Sequence, residues 1–424
     1  MGLITMIVTR WTGVEVRALR TAALRITQED FAELAGFTVG VVRKWEGRRE
    51  TIELSGRFAA RMDDLLRDLD PDQGTRFEVA LSAPNTSTPV GGSTDSFENP
   101  AEILQRIQHL SVIESDRTVP DALALLVDDV VERYEFAGPY RLAPVVIDAR
   151  RQIEVMLRQR RNPIQLRSLY AVAGRLAGIL AYMAVNRGRF SHAKMYCKEA
   201  LAIGELSDDA ELRAWIKGTE SFCAYYQGDY VTAVRVAYEG LDSANGGPQS
   251  IRLYSNGLAR ALGRVGDAAG VAEAIDMAIA KAATLGTGPG LTPALSFDAY
   301  GEARLMANAA TAFLSAGDFR RCLEFGERVE DCVVQSDSVW SHSLVRLDRA
   351  TAMLGDGLHD IDSAAQLGIE ALEASKDRPI RSVWQRAHEF GHAIEKVPSR
   401  ASQAYLESLR TWSTNARRFS APEG

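Results

Sequence analysis

The sequence has few of the features that mark a secreted, membrane-bound or disulfide-linked protein. Only four of its 424 residues are cysteines, namely Cys197, Cys223, Cys322 and Cys332, and no two of them form a C-x-x-C pair. Each lies in an alanine-rich helical context, so we expect buried free thiols instead of disulfides or a zinc site. Residues 3–8 are too few for a signal peptide, and no apolar run reaches the roughly 18 residues of a membrane span. We therefore expect a cytoplasmic protein.

Motifs for nucleotide hydrolysis, cofactor binding and nucleophilic catalysis are also missing. The chain has no G-x-x-x-x-G-K-[ST] loop, and no Ser/His/Asp or Cys/His grouping has a supporting local motif. We expect no cofactor and no enzymatic activity. The formal net charge of −7 excludes a generally basic nucleic-acid coat, yet residues 10–50 carry eight Lys or Arg against six acids. A local basic surface is enough for a protein that reads one DNA site.

One exception is the segment HEFGH at residues 388–392, which matches H-E-x-x-H. Two histidines four residues apart on a helix can bind zinc, with the glutamate as the base. The extended form of this motif has Gly and His where this chain has Glu395 and Pro398. We therefore interpret the segment as part of a terminal helix, although Glu407 would be available as a third zinc ligand.

The stretch TQEDFAELAGFTVGVVRKWEGRR at residues 27–49 predicts two short helices joined by a tight turn. Thr27 can cap the first helix, whose apolar residues recur at helical spacing. Gly36 can take the left-handed conformation that ends a helix, and Thr38 can cap the second one. In the second helix Val42 and Trp45 are expected to pack inward, so the cationic side chains point outward. Such a pair of helices can lie in a DNA major groove.

The pattern Q-x-x-F-A-x-x-A-G-F-T, followed by V-x-x-W-E-G, resembles the lambda-repressor-like (XRE) helix-turn-helix family over residues 12–70. The resemblance implies a DNA-binding domain. The residues that it assigns to DNA contact are Gln28, Thr38, Val39, Gly40, Arg43, Lys44, Arg48 and Arg49. Gln28 would contact a phosphate or a base, and the last two arginines would contact phosphates. Val39 and Gly40 stand where many family members have Gln, Arg or Asn, so we expect specificity to depend on Arg43, Lys44 and DNA shape.

Residues 82–100 separate two regions of different composition. They are rich in Pro, Gly, Ser and Thr and have few apolar residues, which is typical of a linker. Residues 1–81 are expected to form the DNA-binding domain, with further helices over 14–25, 54–69 and 74–81. Residues 101–424 are almost entirely helical in pattern, with lead-in helices over 122–134 and 142–158. The fold class predicted for the chain is all-α.

Turns that contain glycine recur through residues 165–395. Their glycines are Gly188, Gly228, Gly266 and Gly317, spaced by 40, 38 and 51 residues (228−188, 266−228, 317−266), with a weaker copy at 355–357. Small residues lie near the middle of the preceding helices, at Ala181, Ser221, Ala259 and Ala310. The arrangement resembles tetratricopeptide (TPR) repeats, whose helix pairs stack into an α-solenoid because no pair can bury its faces alone.

In a TPR-like solenoid the first helix of each pair lines the concave face. Counting back from each turn glycine places aromatic, Asn and Arg side chains on that face. The expected ligand-binding residues are Arg175, Tyr182, Asn186, Trp215, Phe222, Tyr225, Tyr226, Asn256, Arg260, Arg264, Arg304 and Asn308. Such a surface suits a peptide, but ordinary helix packing and a solvated face are equally consistent with these residues. An inserted loop at residues 286–293 lies either at a ligand-facing edge or on the plain surface.

These features predict a sequence-specific DNA-binding transcription regulator whose C-terminal solenoid forms a homodimer and senses a ligand. The domain order resembles that of peptide-responsive quorum-sensing regulators and of actinobacterial helix-turn-helix regulators with solenoid tails. The resemblance to the first group implies a short signalling peptide as the ligand, and a small molecule is the other ligand considered. A double-stranded DNA operator is the expected partner, and no membrane partner is expected. Two alternatives remain, namely an adaptor whose solenoid binds another regulatory protein, and an enzyme at the H-E-x-x-H segment.

Overall fold

The computed structural model describes residues 8, 10–48, 52–54, 56–82, 118–158, 163–336, 338–355 and 360–420. Within these ranges the chain is helical apart from turns and loops, and the only β-type pairing is a bridge between Thr12 and Glu53. The predicted all-α fold class is therefore confirmed. Contacts divide the chain into two compact units, residues 1–97 and 98–424. The division falls within the expected linker at 82–100, nearly all of which lies outside the described residues.

Short helices surround one apolar core in the N-terminal unit. They are α1 (Gly13–Ala18), which continues as a π-helical segment (Leu19–Leu24), α2 (Gln28–Ala35), α3 (Val39–Arg48), α4 (Arg57–Arg67) and α5 (Pro71–Ser82). The helices lie close to the predicted positions, but the π-helical segment was not expected. Arg76 on α5 donates hydrogen bonds to the carbonyl oxygens of Ala22 and Ala23 in that segment, at 3.0 and 2.9 Å. This contact fixes α5 against the end of the first helix.

The positions of α2 and α3 follow from their ends and their buried faces. The hydroxyl of Thr27 accepts a backbone hydrogen bond from the first turn of α2, and Gly36, with a φ of 76°, ends this helix. On α3, Val42 and Trp45 are buried as predicted. The ring of Trp45 packs edge-on against Phe37 at a centroid distance of 5.2 Å. The inward residues of α3 thus anchor the helix and determine which side it exposes.

The C-terminal unit is a succession of packed helices. They are α6 (Thr118–Ala137), α7 (Pro139–Leu157), α8 (Pro163–Asn186), α9 (Phe190–Leu206), α10 (Ala210–Gln227), α11 (Tyr230–Ala244), α12, α13 (Ala268–Leu285), α14 (Glu302–Ser315), α15 (Phe319–Val334), α16 (Val339–Gly355), α17 (Ile361–Ser375), α18 (Arg381–Ile394) and α19 (Arg400–Ser420). Helix α12 has three parts, Gln249–Arg252, a π-helical segment Leu253–Ala259, and Arg260–Val265. Most of these helices pack mainly against their neighbours along the chain, but α18 packs mainly against α16, and α19 mainly against α17.

The predicted turn glycines all adopt the conformation that their turns require. The four have φ values of 68°, 84°, 87° and 78° in chain order. An Asp follows three of them and caps the next helix; for example, Asp229 accepts a hydrogen bond from the backbone N–H of Thr232 at 3.1 Å. The small residues at mid-helix are buried, and the hydroxyl of Ser221 donates to the carbonyl oxygen of Ala233 across the helix pair at 2.9 Å. Most of the weaker fifth copy lies outside the described residues.

One described helix, α8, is long and apolar enough to cross a membrane by length and composition. However, 78% of its most apolar window is buried inside the C-terminal unit. It packs against α7, α9 and α10. Its apolar character is therefore explained by its place in the core of this unit.

Candidate functional site

The outer side of α3 forms the first candidate site. Thr38, Gly40, Arg43 and Lys44 are exposed there, whereas Val39 is half-buried. The opposite side of the helix is fixed in the core, so these residues are presented on a rigid element. A helix that projects two cations and a short polar residue away from its own core can approach a groove of duplex DNA.

A buried ion pair holds α3 against the π-helical segment that follows α1. Arg20 donates from Nε and Nη2 to the two carboxylate oxygens of Glu46, at 2.6 and 2.8 Å. The two side chains are only 13% and 6% exposed. Gln28 Nε2 also donates to Glu46 Oε2, at 2.8 Å. The predicted DNA-contact residue Gln28 is thus oriented by a carboxylate that is itself held in place.

Arg43 is exposed but has partners of its own. Its Nη2 donates to Glu29 Oε1 at 2.7 Å, and its Nε donates to Gln28 Oε1 at 3.4 Å. The side chains of Arg43 and Glu29 are 61% and 59% exposed. Exposed ion pairs contribute little stability, so Arg43 can exchange Glu29 for a phosphate or a base edge at small cost. The side chain of Arg48 and the whole of Arg49 lie outside the described residues.

The second candidate site is a cavity in the C-terminal unit. Its lining residues come from α6, α8, α10, α12, α14, α16, α18 and the loop before α14, and its free volume is about 60 Å³. Eight of the twelve predicted ligand-binding residues line it: Tyr182, Asn186, Phe222, Tyr226, Asn256, Arg260, Arg304 and Asn308. Sites for drug-sized ligands have volumes of roughly 300–1,000 Å³. In this conformation the cavity is therefore too small for the peptide that the sequence suggested.

The cavity is small because early and late helices of the unit meet across it. The ring of Tyr134 on α6 lies 5.2 Å from that of Trp340 on α16. Helix α18 also contacts α8. A ligand-binding concave face was expected from the repeat pattern, and these contacts narrow the space between the helices to a small cavity.

Arg260 is the most buried of the cations that line the cavity, with 3% of the residue exposed. It donates from Nη1 to Asn256 Oδ1 at 2.9 Å and from Nη2 to the hydroxyl of Tyr226 at 2.8 Å. Its guanidinium group also lies 4.6 Å from the ring centroid of Tyr225. Asn256 belongs to the unexpected π-helical segment of α12, and such segments often occur at functional sites.

Two buried ion pairs complete the charged lining. Arg304 Nη2 lies 2.6 Å from Glu135 Oε1, and Arg386 Nε lies 3.2 Å from Asp348 Oδ1. Thr311 connects the second pair, because its hydroxyl donates to Asp348 Oδ2 at 2.6 Å and accepts from Arg386 Nη2 at 3.0 Å. Burial raises the pKa of the Asp348 carboxyl group, and Arg386 and Thr311 partly oppose this effect. These contacts tie α6, α14, α16 and α18 together around the cavity.

The acidic partners, and the other cavity residues on α6, α16 and α18, were not among the predicted ligand-binding residues. Glu135, Asp348 and Arg386 lie far along the chain from the helices that were expected to form the concave face. A local signal was available for Asp348, because it lies four residues after Leu344 and so shares a face of α16 with an apolar residue. Both line the cavity.

Two of the other predicted ligand-binding residues contact the segment that follows the inserted loop, residues 294–301, instead. The ring of Phe297 in this segment stacks on Trp215 at 4.6 Å, and the guanidinium of Arg175 lies 5.4 Å from the same Phe297 ring. Trp215 Nε1 also donates to the carbonyl oxygen of Ser296 at 2.8 Å. The same segment reaches the cavity, where the Ala294 N–H donates to Glu135 Oε1 at 2.7 Å. No residue of the inserted loop at 286–293 lines the cavity, although the carbonyl oxygen of Thr292 accepts a hydrogen bond from Arg304 Nε at 2.6 Å.

The last two predicted residues, Tyr225 and Arg264, lie beside the H-E-x-x-H segment. Arg264 Nε donates to the hydroxyl of Tyr225 at 3.1 Å, and its Nη2 donates to both carboxylate oxygens of Glu389 at 2.8 and 2.7 Å. Burial alone would raise the pKa of Tyr225, but Arg260 and Arg264 outweigh burial and lower this pKa. Neither Tyr225 nor Arg264 lines the cavity.

The two histidines of the H-E-x-x-H segment differ in environment. The ring of His388 stacks on Trp384 at 4.0 Å, and its Nε2 lies 3.3 Å from the hydroxyl oxygen of Ser413, whereas His392 is exposed. The glutamate between them is the one that pairs with Arg264. Among the described residues, no three His, Cys, Asp or Glu side chains are grouped closely enough to hold a metal ion.

Comparisons with known proteins give no family for this chain. No protein-family model matches it, and a search of curated proteins found no match either. Its function must therefore be inferred from the two sites.

Proposed function

We propose that this protein is a sequence-specific DNA-binding transcription regulator that responds to a small ligand. Residues 1–81 would be an XRE-type helix-turn-helix domain, residues 82–100 a linker, and residues 101–424 a TPR-like solenoid that dimerises. The observation that carries the proposal is the two-sided character of α3. Its inner side is fixed by Val42, Trp45 and the Glu46 ion pair, and its outer side exposes Arg43 and Lys44.

The size of α3 agrees with this role. A ten-residue helix is about 15 Å long, which is comparable to the roughly 12 Å width of the major groove. The turn before it is short, so α2 and α3 form one unit. Only a small area enters the groove, so two half-sites about one turn of DNA apart would be needed for useful specificity. This requirement is the reason for proposing a dimer.

The C-terminal cavity supports a sensing role for the second unit. It combines aromatic walls with convergent polar groups, as small-molecule sites do. Its free volume of about 60 Å³ favours a small molecule over the peptide as the ligand.

The proposal is tested by selecting duplexes from a random DNA library with the intact protein. The selected duplex is then used to compare Lys44→Ala with Arg67→Ala, since Arg67 is an equally charged residue on α4 that is 70% exposed. Loss of one phosphate contact should weaken binding and lower the slope of log K against log salt by about one. Arg67→Ala should bind like the wild type. Selection of no preferred sequence, or equal effects of the two variants, would refute the proposed DNA-binding face.

A further inference from the structure

The positive and negative charges of the residues around the cavity are unequal in number. Three cations, Arg260, Arg304 and Arg386, and two acids, Glu135 and Asp348, line it, and each is at most 9% exposed. Glu135 pairs with Arg304 and Asp348 pairs with Arg386. Among the described residues, no carboxylate oxygen lies within 4.0 Å of a side-chain nitrogen of Arg260. The lining therefore has one positive charge more than its own acids neutralise.

The contacts of Arg260 stabilise its position without supplying a carboxylate. Asn256 and Tyr226 offer dipoles, and the ring of Tyr225 offers a π face. A buried charge normally has an ionic partner, because its removal from water is costly otherwise. Arg260 is only 3% exposed and has no carboxylate partner, so a ligand that supplies a negative charge beside it should stabilise the protein.

Two hydrogen-bond donors among the residues that line the cavity have no acceptor within the protein. Arg260 Nε and Asn308 Nδ2 are buried and make no hydrogen bond within the protein. The one cavity acceptor in the same condition, Asp348 Oδ1, faces Arg386 Nε at 3.2 Å and is electrostatically satisfied. Buried donors nearly always find acceptors. The ligand that completes this cavity should therefore be rich in acceptors as well as negatively charged.

Charge and size select among anions. One surplus positive charge matches a monoanion, whereas a phosphate ester carries a charge of about −1.5 to −2 at pH 7. A planar carboxylate also suits a guanidinium group, whose donors lie in one plane. The free volume of about 60 Å³ has room for roughly four to six waters, since each needs about 10–15 Å³ of such space, and so suits a molecule of only a few heavy atoms. The rings of Tyr134, Tyr182, Phe222 and Trp340 form an apolar part of the wall.

We propose that this cavity binds a small monocarboxylate, with its carboxylate beside Arg260 and Asn308 and its short apolar part against the aromatic rings. The inference rests on the proposed function, because it names the class of ligand that the second unit of the regulator senses. A ligand larger than propionate requires the loop that carries Ala294 to move, since this residue lines the cavity and is held by Glu135.

Isothermal titration calorimetry on the intact protein tests the proposal with acetate, propionate and benzoate. Propionamide serves as the neutral analogue of propionate, and inorganic phosphate as the alternative anion. At least one carboxylate should bind, and propionamide and phosphate should bind much more weakly. Arg260→Gln should lose more than about tenfold in affinity, since it removes one partner of a buried charge pair.

Arg264→Gln is the matched control, because Arg264 is one turn further along α12 and lies over the same Tyr225 ring. Arg264 pairs with Glu389 and does not line the cavity. The affinity of the Arg264→Gln variant for the carboxylate should therefore stay near that of the wild type. Asn308→Ala is a second cavity variant, used with circular dichroism melting as a check on folding. It should also weaken binding.

The proposal is overturned if no carboxylate binds at high millimolar concentration, if phosphate binds better, or if both cavity variants bind like the wild type. Binding of the selected DNA duplex is measured on the same samples. Failure of DNA binding with intact carboxylate binding would reject the proposed function and keep the anion site. The reverse result would reject the anion site alone.

Discussion

Replacing Glu29 by Gln should strengthen DNA binding, whereas replacing Arg43 by Ala should weaken it. The guanidinium of Arg43 is held by the Glu29 carboxylate at 2.7 Å, so in the proposed complex Glu29 would compete with DNA for this arginine. Removing the carboxylate would release Arg43 from this pair and would also remove a negative charge close to the DNA phosphates. Removing Arg43 eliminates the contact itself.

The expected magnitudes follow from the exposure of the pair. With side chains that are 61% and 59% exposed, the ion pair is worth about 0.2–1 kcal/mol. Glu29→Gln should thus raise the affinity by up to about fivefold, since 1.4 kcal/mol corresponds to a factor of ten. Arg43→Ala should lose about 1–3 kcal/mol if the arginine contacts a guanine. In the double variant the gain from Glu29→Gln should shrink to the small gain of a general charge change, because the rest of its effect acts through Arg43.

Fluorescence anisotropy with the selected duplex, repeated at several salt concentrations, measures these effects. Glu33→Gln is the control, since Glu33 is an exposed acid on the same helix and its removal changes only the general charge. If Glu29→Gln behaves like Glu33→Gln and Arg43→Ala binds like the wild type, α3 does not present Arg43 to DNA. A gain that persists in full in the double variant would show that Glu29 acts by long-range repulsion alone.

Three further predictions concern stability, association and thiol reactivity. Glu46→Ala should destabilise the N-terminal unit by about 3–5 kcal/mol, because Arg20 would remain buried without its partner. Hydrogen exchange over α1–α3 measures this loss of stability. The control Glu29→Ala breaks an exposed pair and should change the stability little. The intact protein should be a dimer at micromolar concentration by light scattering, and a version cut in the linker should release a monomeric N-terminal unit; a monomeric intact protein contradicts this. Iodoacetamide at pH 8 should modify the half-buried Cys332 first, because Cys197, Cys223 and Cys322 are buried and burial raises their thiol pKa values, that of Cys223 to about 11. Mass spectrometry of the labelled peptides checks this order.

The N-terminal unit could be predicted well from the sequence because its signals are local. The cap at Thr27, the turn at Gly36 and the inward spacing of Val42 and Trp45 each involve residues within one or two helical turns, and all are observed. The Arg20–Glu46 pair joins residues 26 positions apart, so no local pattern indicated it. The π-helical segment was also missed, since a change of hydrogen-bond register within a helix leaves the apolar pattern almost unaltered.

In the C-terminal unit, too, local features could be predicted from the sequence, whereas contacts between distant residues could not. The turn glycines and small mid-helix residues were predictable, because each acts within one helix pair. The closure of the cavity was not, since it depends on contacts such as Glu135 with Arg304, which are 169 residues apart. A repeat pattern specifies how neighbouring helices pack. It does not specify whether small rotations between pairs add up to an open groove or bring early and late helices together.

The two central arginines differ in a way that follows from their surroundings. Arg43 is 61% exposed, so water screens its pair with Glu29 and allows it to change partners at little cost. Arg260 is 3% exposed, so a negative charge beside it interacts strongly and its absence is costly. A residue that contacts DNA should separate easily from its partner within the protein, because the protein must test many DNA sites before it binds one of them. A sensing residue should respond strongly to one ligand, because a ligand shifts a conformational equilibrium only by the difference in its affinity for the two states. The structure gives each arginine the environment that suits the role proposed for it.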